Sequence, residues 1–135
     1  MPLPEVFLDT DIMIDILRGY EPALEWLEAL KDRNAKVCLP GFVVMELIQG
    51  CENKDQIREV RQAVYDFRIL WPTESGCSRA LEAYSDHRLS HGFDILDALI
   101  GQMAEDLTMP LHTFNTRHFK GVFKTDMVQP YKRDR

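Results

Sequence analysis

The stretch Val6-Phe7-Leu8-Asp9-Thr10-Asp11-Ile12-Met13-Ile14-Asp15-Ile16-Leu17-Arg18-Gly19 decides the fold class. It opens with an apolar run that lacks alternation, the pattern of a strand buried on both faces of a parallel sheet. Asp9-Thr10-Asp11 breaks that run and supplies capping oxygens for a helix through Ile12 to Arg18, which Gly19 stops. A buried strand feeding directly into a helix is the opening half of a βαβ unit.

Outward from this stretch the alternation continues. Pro22 suits the first turn of a second helix in which Leu24, Leu27 and Leu30 share a face. Lys36 to Leu39 reads as a second strand ended by Pro40-Gly41, and Phe42 to Ile48 as a short helix with Gly50 as its C-cap. An amphipathic helix is expected from Lys54 to Phe67, with Ile57, Val60, Val64 and Phe67 on its apolar side. Arg68 to Trp71 gives a third strand, and helices follow over Cys77 to Leu89 and Ile95 to Leu107, parted at Gly92. Pro110 to Phe114 is a late strand; Val122-Phe123 and Met127-Val128 form a weak edge. Strands alternating with helices predict one α/β unit over residues 1–135 with a central parallel sheet.

Composition narrows the class without naming a function. The chain has 135 residues, 45% of them hydrophobic, enough for an ordinary core. No run approaches the ~18 apolar residues of a membrane span, and Met1-Pro2-Leu3-Pro4-Glu5 lacks the features of a secretory leader. Cys38, Cys51 and Cys77 are widely spaced without a C-x-x-C pair, as in a cytoplasmic protein with reduced thiols. A net charge of −6 argues against coating nucleic acid by bulk positive charge. It does not exclude a nuclease, whose metal-binding carboxylates a bound ion partly offsets, and a basic partner could also use an acidic surface.

Those carboxylates stand where a parallel sheet would gather them. Asp9 follows the first strand, Glu46 lies in the helix after the second, Asp97 near the start of a helix, and Thr113-Phe114-Asn115 closes the late strand. Ligands of open α/β sheets bind outside the carboxyl ends of the strands, so these positions can meet at one edge. Carboxylates inside apolar runs are costly unless neutralised. A hard divalent ion would do so, which points to metal-assisted phosphodiester hydrolysis. Each residue also has a plainer role: Asp9 or Asp11 as a helix cap, Glu46 on a solvated face, Asn115 in a turn. Asp94 and Asp97 are spaced as an N-cap and its N3 partner, so Asp94 is assigned to the cap and Asp97 to chemistry.

From Phe7 to Gly19 the opening stretch resembles that of PIN-domain proteins, particularly the VapC-type toxins of toxin–antitoxin pairs. Val43-Val44-Met45-Glu46-Leu47-Ile48-Gln49-Gly50 resembles their second acidic motif, Asp97-Ala98-Leu99-Ile100-Gly101-Gln102-Met103-Ala104 the third, and Thr113-Phe114-Asn115-Thr116-Arg117-His118-Phe119 the last. The resemblance spans residues 6 to 128. It implies a PIN-like three-layer α/β/α sandwich, Mg²⁺- or Mn²⁺-dependent endoribonuclease activity on single-stranded or structured RNA, a homodimer and a cognate antitoxin. It also implies that Asp9, Glu46, Asp97 and Asn115 hold metal while Thr113 assists through its hydroxyl. Asn115 departs from an acidic residue and Gly101 from the family's usual alanine.

Two other functions compete. A haloacid-dehalogenase-type phosphatase would use Asp9 as nucleophile and Asp11 as general acid, but a Gly-Thr pair after D-x-D and a downstream lysine with an acidic pair are missing. A PIN fold that binds RNA or protein without cutting would owe its inactivity to Asn115. Remaining signals read as structure. His87 and His91 lack a third zinc ligand, and Lys54, Arg58, Arg61 and Arg68 suit a solvated helix face. Met13, Met45, Met103, Trp26 and Trp71 suit the core, although Met13, Ile14 and Leu17 with Leu24 and Leu27 could form a partner groove. The tail from Lys132 to Arg135 is expected to fray.

Overall fold

The computed structural model describes residues 5–134. The absence of a leader at Met1 to Pro4 and the fraying of Arg135 concern positions outside the described residues. The elements run β1 (Glu5–Leu8), α1 (Thr10–Leu17), α2 (Glu21–Asp32), β2 (Lys36–Pro40), α3 (Gly41–Gln49), α4 (Lys54–Ala63), β3 (Arg68–Leu70), α5 (Glu74–His91), α6 (Ile95–Leu107), β4 (Leu111–His112), α7 (Thr116–Phe119) and β5 (Met127–Val128).

The strands form one sheet in the order β3-β2-β1-β4-β5, with every pair parallel. β1 is therefore central, and Phe7 and Leu8 are fully buried there, as expected of a strand covered on both faces. Helices α1 to α4 pack on one another, and α5, α6 and α7 form a second mutually packed group, so helices flank the sheet. The core draws Ile12 and Met13 from α1, Leu39 from β2, Val43 from α3, Ile100 from α6 and Leu111 from β4.

The order of strands places the chemistry. The chain builds outward from β1 to β2 and β3 on one side, then returns to add β4 and β5 on the other. This reversal is a topological switch point at the carboxyl ends of β1 and β4, the place where open α/β sheets form their ligand crevice. The register sets Leu8 beside His112, so the next residues, Asp9 and Thr113, emerge together; the Asp9 N–H also donates to the His112 carbonyl at 3.0 Å.

Helix boundaries have local causes. Thr73 caps α5 by accepting from the Gly76 N–H at 2.9 Å, and α5 ends at Gly92, whose φ of +69° is readily reached only without a side chain. Gly50 does follow α3, but with φ −80° it is a right-handed cap. Helix α4 is shorter than the sequence suggests: the chain turns at Val64, whose N–H reaches the Val60 carbonyl, and Val64 still reaches the core. β4 spans only Leu111–His112 rather than Pro110 to Phe114. Val122-Phe123 makes no strand, because Phe123 turns inward over α6; Met127–Val128 alone forms the edge. A Cβ on Gly101 would sit 2.2 Å from the Phe123 ring, which accounts for glycine at the position where the resemblance implies alanine.

Two expected core residues are outside it: Met45 is 58% exposed and Trp71 57%. Trp71 lies edge-on to Phe42 and over Gly41, capping the start of α3 from the surface. Met13 and Leu27 are core and unavailable to a groove, while Leu17 and Leu24 remain exposed. No described helix is long and apolar enough to cross a membrane.

Candidate active site

Asp9 occupies the crevice and is 4% exposed. Its position at the start of α1 lets one carboxylate oxygen accept the Thr10 N–H at 2.8 Å, and the other accepts the Thr113 hydroxyl at 2.8 Å. Thr113 is fully buried, so its hydroxyl is fixed between β1 and β4. That hydroxyl oxygen in turn accepts the Asn115 N–H at 3.0 Å and lies 3.4 Å from Asp11. Thr113 thus ties the end of β4 to the end of β1.

Glu46 reaches the same edge from α3. The Thr10 hydroxyl donates to its Oε1 at 2.7 Å, so the residue next to Asp9 orients Glu46. Asp97 arrives from α6 by a capping box: Asp94 accepts the Asp97 N–H at 3.0 Å, and the Asp97 carboxylate accepts the Asp94 N–H at 3.1 Å. The sequence assignment of Asp94 to the cap therefore matches the geometry. His118 on α7 approaches the Asp97 carboxylate at 3.6 Å.

Burial and mutual repulsion dominate the protonation of this group. Burial, then the neighbouring Asp11 charge, pushes the Asp9 pKa up to about 7; Asp97 adds to the rise, and the Thr10 and Thr113 hydrogen bonds oppose it. Burial also raises Asp97, with Asp94 and Glu46 contributing repulsion and His118 opposing it. Asp9 thus feels Asp97, and Asp97 feels Glu46, so the structure brings these three into one field. Asn115 begins α7 without a side-chain cap bond and is exposed at the rim.

Asp11 is the residue sequence reasoning undervalued. Its Oδ2 accepts the Phe114 N–H at 2.8 Å, anchoring the loop after β4, while its Oδ1 is buried without a partner. The D-x-D spacing is the signal that could have found it, although the spacing alone does not reveal the contact. The supposed phosphatase acid is committed to a backbone group.

Other expected positions lie apart from this crevice. His87 and His91 stack edge-on with centroids 5.2 Å apart, and His91 pairs with Ser90. Arg58 pairs with Asp55 within exposed α4, and Arg68 with Glu5 at 3.4 Å. Cys38, Cys51 and Cys77 are free.

A family model for the PIN domain matches residues 6–123. The chain belongs to the PIN domain family. Among the relatives of this PIN-domain chain is Ribonuclease VapC10 of Mycobacterium tuberculosis (strain CDC 1551 / Oshkosh), 30% identical over 115 residues, which cover 84% of this chain and 85% of VapC10. A toxin–antitoxin complex from Klebsiella pneumoniae contains a chain of 26% identity that superposes with a TM-score of 0.75, over 95% of this chain and 99% of that one. VapBC2 from Rickettsia felis, bound to a DNA fragment from their promoter, superposes with a TM-score of 0.76 at 18% identity, over 92% and 97% of the two chains. At that identity the last likeness concerns the fold. The central parallel sheet flanked by helices is the PIN-like α/β arrangement that the resemblance implies.

Proposed function

We propose that this PIN-domain chain is a divalent-metal-dependent endoribonuclease, the toxin of a toxin–antitoxin pair, acting in the cytoplasm on RNA. The observation that carries the reading is the buried Asp9 at the β1/β4 crevice, in the electrostatic reach of Asp97, which in turn feels Glu46. The relatives add weight: one is named a ribonuclease and others are solved in toxin–antitoxin complexes. Homodimerisation and a cognate antitoxin belong to the same proposal.

The donor set suits a hard cation. It is made of carboxylate oxygens; burial, then the Asp11 charge, raises Asp9 to about 7, and one Asp11 oxygen is buried without a partner. Among the described residues no three His, Cys, Asp or Glu already stand in a preformed metal cage. Mg²⁺ is commonly held by one or two carboxylates while water and substrate phosphate complete its shell. Asp9 and Asp97 would hold Mg²⁺ or Mn²⁺, with Glu46 binding directly or through water and Asn115 offering a neutral oxygen at the rim. When bound, such an ion lowers the pKa of water and offsets charge developing on phosphoryl oxygens.

The protein's own residues do the rest. Thr113 fixes the Asp9 carboxylate through its hydroxyl, and Thr10 aims Glu46. Glu46 would orient a water for in-line attack, and Asp11 holds the loop bearing Asn115 through the Phe114 N–H. Hydrolysis leaves 5′-phosphate and 3′-hydroxyl ends.

Purified chain, free of antitoxin, is incubated with a mixed single-stranded RNA pool and Mg²⁺, Mn²⁺ or EDTA, beside Asp9→Asn. Metal-dependent cleavage that the variant lacks, with 5′-phosphate ends, is expected. Ends bearing 2′,3′-cyclic phosphate would rule out the mechanism, since they require attack by the ribose 2′-hydroxyl. Metal binding by a folded protein without cleavage would instead favour a binding module.

A further inference from the structure

The described part of the C-terminal tail, as far as Asp134, is tied down rather than frayed. Tyr131 donates its hydroxyl to Asp15 at 2.6 Å, and Arg133 Nε donates to the same carboxylate oxygen at 3.0 Å. Asp15 is fully buried in α1, so the tail reaches across the sequence into the core side of the helix that follows the catalytic strand. Asp134 adds a backbone bond, its N–H donating to the Tyr20 hydroxyl at 3.0 Å. The Tyr131 ring packs against Tyr20, Trp26 and Phe114, the last with centroids 5.1 Å apart.

Arg133 also reaches the loop after β4. Its guanidinium carbon stands 4.1 Å from the centre of the Phe114 ring, a cation–π contact, and its terminal nitrogen donates to the Asp11 carbonyl at 3.4 Å. Phe114 is the middle residue of the loop whose flanks are Thr113, bonded to Asp9, and Asn115. One guanidinium therefore touches the α1 start, the buried Asp15 and the loop after β4.

We propose that Arg133 is a positioning residue for the nuclease site, clamping Phe114 so that Thr113 and Asn115 keep their places beside Asp9. The inference rests on the nuclease reading above. Arg133 makes no contact with Asp9, Glu46 or Asp97; it acts through the loop. Asp15 supplies a buried anchor for the clamp, and Tyr131 closes it from the side.

The test measures steady-state cleavage of a labelled single-stranded RNA with saturating Mg²⁺, using full-length wild type, Arg133→Ala and Phe114→Leu, with thermal melting of each. Phe114→Leu removes the aromatic face but leaves the Asp15–Arg133 pair and the Phe114 N–H in place, so it decides the matter if Arg133→Ala does not fold. Expected is a fall in kcat on the order of ten-fold or more in both variants, because small displacements of positioned groups are costly to rate, with KM for RNA little changed. A folded variant with wild-type kcat overturns the inference. So does a rise in KM at unchanged kcat, which would make Arg133 an RNA-binding residue. An inactive wild type would sink the nuclease reading and this inference with it, whereas an active wild type with unaffected variants sinks the inference alone.

Discussion

Asp9→Asn is predicted to stabilise the metal-free protein while ending its activity. The Asp9 carboxyl is 4% exposed and its pKa is raised from 3.8 to about 7, chiefly by burial and then by Asp11. The folded state therefore holds a proton there more tightly than the unfolded chain. Stability from this group is fully present below pH 3.8 and is lost as pH rises towards and through about 7. Above that, folding must bury an ionised carboxylate. At 1.36 kcal/mol per pH unit, the difference between the two values corresponds to about 4 kcal/mol. Asparagine removes the charge yet keeps the shape: its oxygen can accept the Thr10 N–H, and its amide can donate to the Thr113 hydroxyl oxygen. For a chain of this size a gain of that order raises Tm by roughly 15 °C. Melting in EDTA at pH 5 and pH 8 checks it. Wild type should melt lower at pH 8, Asp9→Asn should lose much of that dependence, and Mg²⁺ should raise the pH 8 Tm of wild type only. If metal-free Asp9→Asn melts at or below wild type at pH 8, the assignment of Asp9 as a buried, repelled carboxylate is wrong.

Thr10→Val removes the hydroxyl that orients Glu46, and half-saturating metal in the cleavage assay should rise on the order of ten-fold. Asp11→Asn retains an acceptor for the Phe114 N–H and should keep most of the cleavage rate, whereas Asp11→Ala should lose it; a dead Asp11→Asn with intact metal binding would restore the phosphatase-like role for this residue. Gly101→Ala places a Cβ 2.2 Å from the Phe123 ring and should cost about 1–3 kcal/mol by denaturant titration. Adding Phe123→Leu should recover part of that loss.

The sheet is legible in the sequence because buried parallel strands leave uninterrupted apolar runs, as at Val6 to Leu8 and Val37 to Leu39, each broken by a residue that starts a helix. The nearness of Asp9 and Thr113 follows from the same logic, since both end strands that the topology makes neighbours. Short and late elements are less legible. β4 has only Leu111–His112, and Phe123, which reads as a strand residue, is drawn inward by the space over Gly101. Met45 and Trp71 look like core by residue type, yet they lie on the surface of α3 and beyond the short edge strand β3. The tail is the clearest miss. Its charged composition suggests solvent, and only the buried Asp15, more than a hundred positions away, gives Arg133 and Tyr131 a place to bind.

The most direct test of the central claim is a titration of Mn²⁺ followed by electron paramagnetic resonance, with RNA cleavage read in the same samples, for wild type, Asp9→Asn, Asp97→Asn and Glu46→Gln. The account predicts saturable Mn²⁺ binding to wild type that Asp9→Asn and Asp97→Asn lose together with cleavage, and that Glu46→Gln weakens. Cleavage that persists without bound metal, or metal binding indifferent to Asp9 and Asp97, would contradict it.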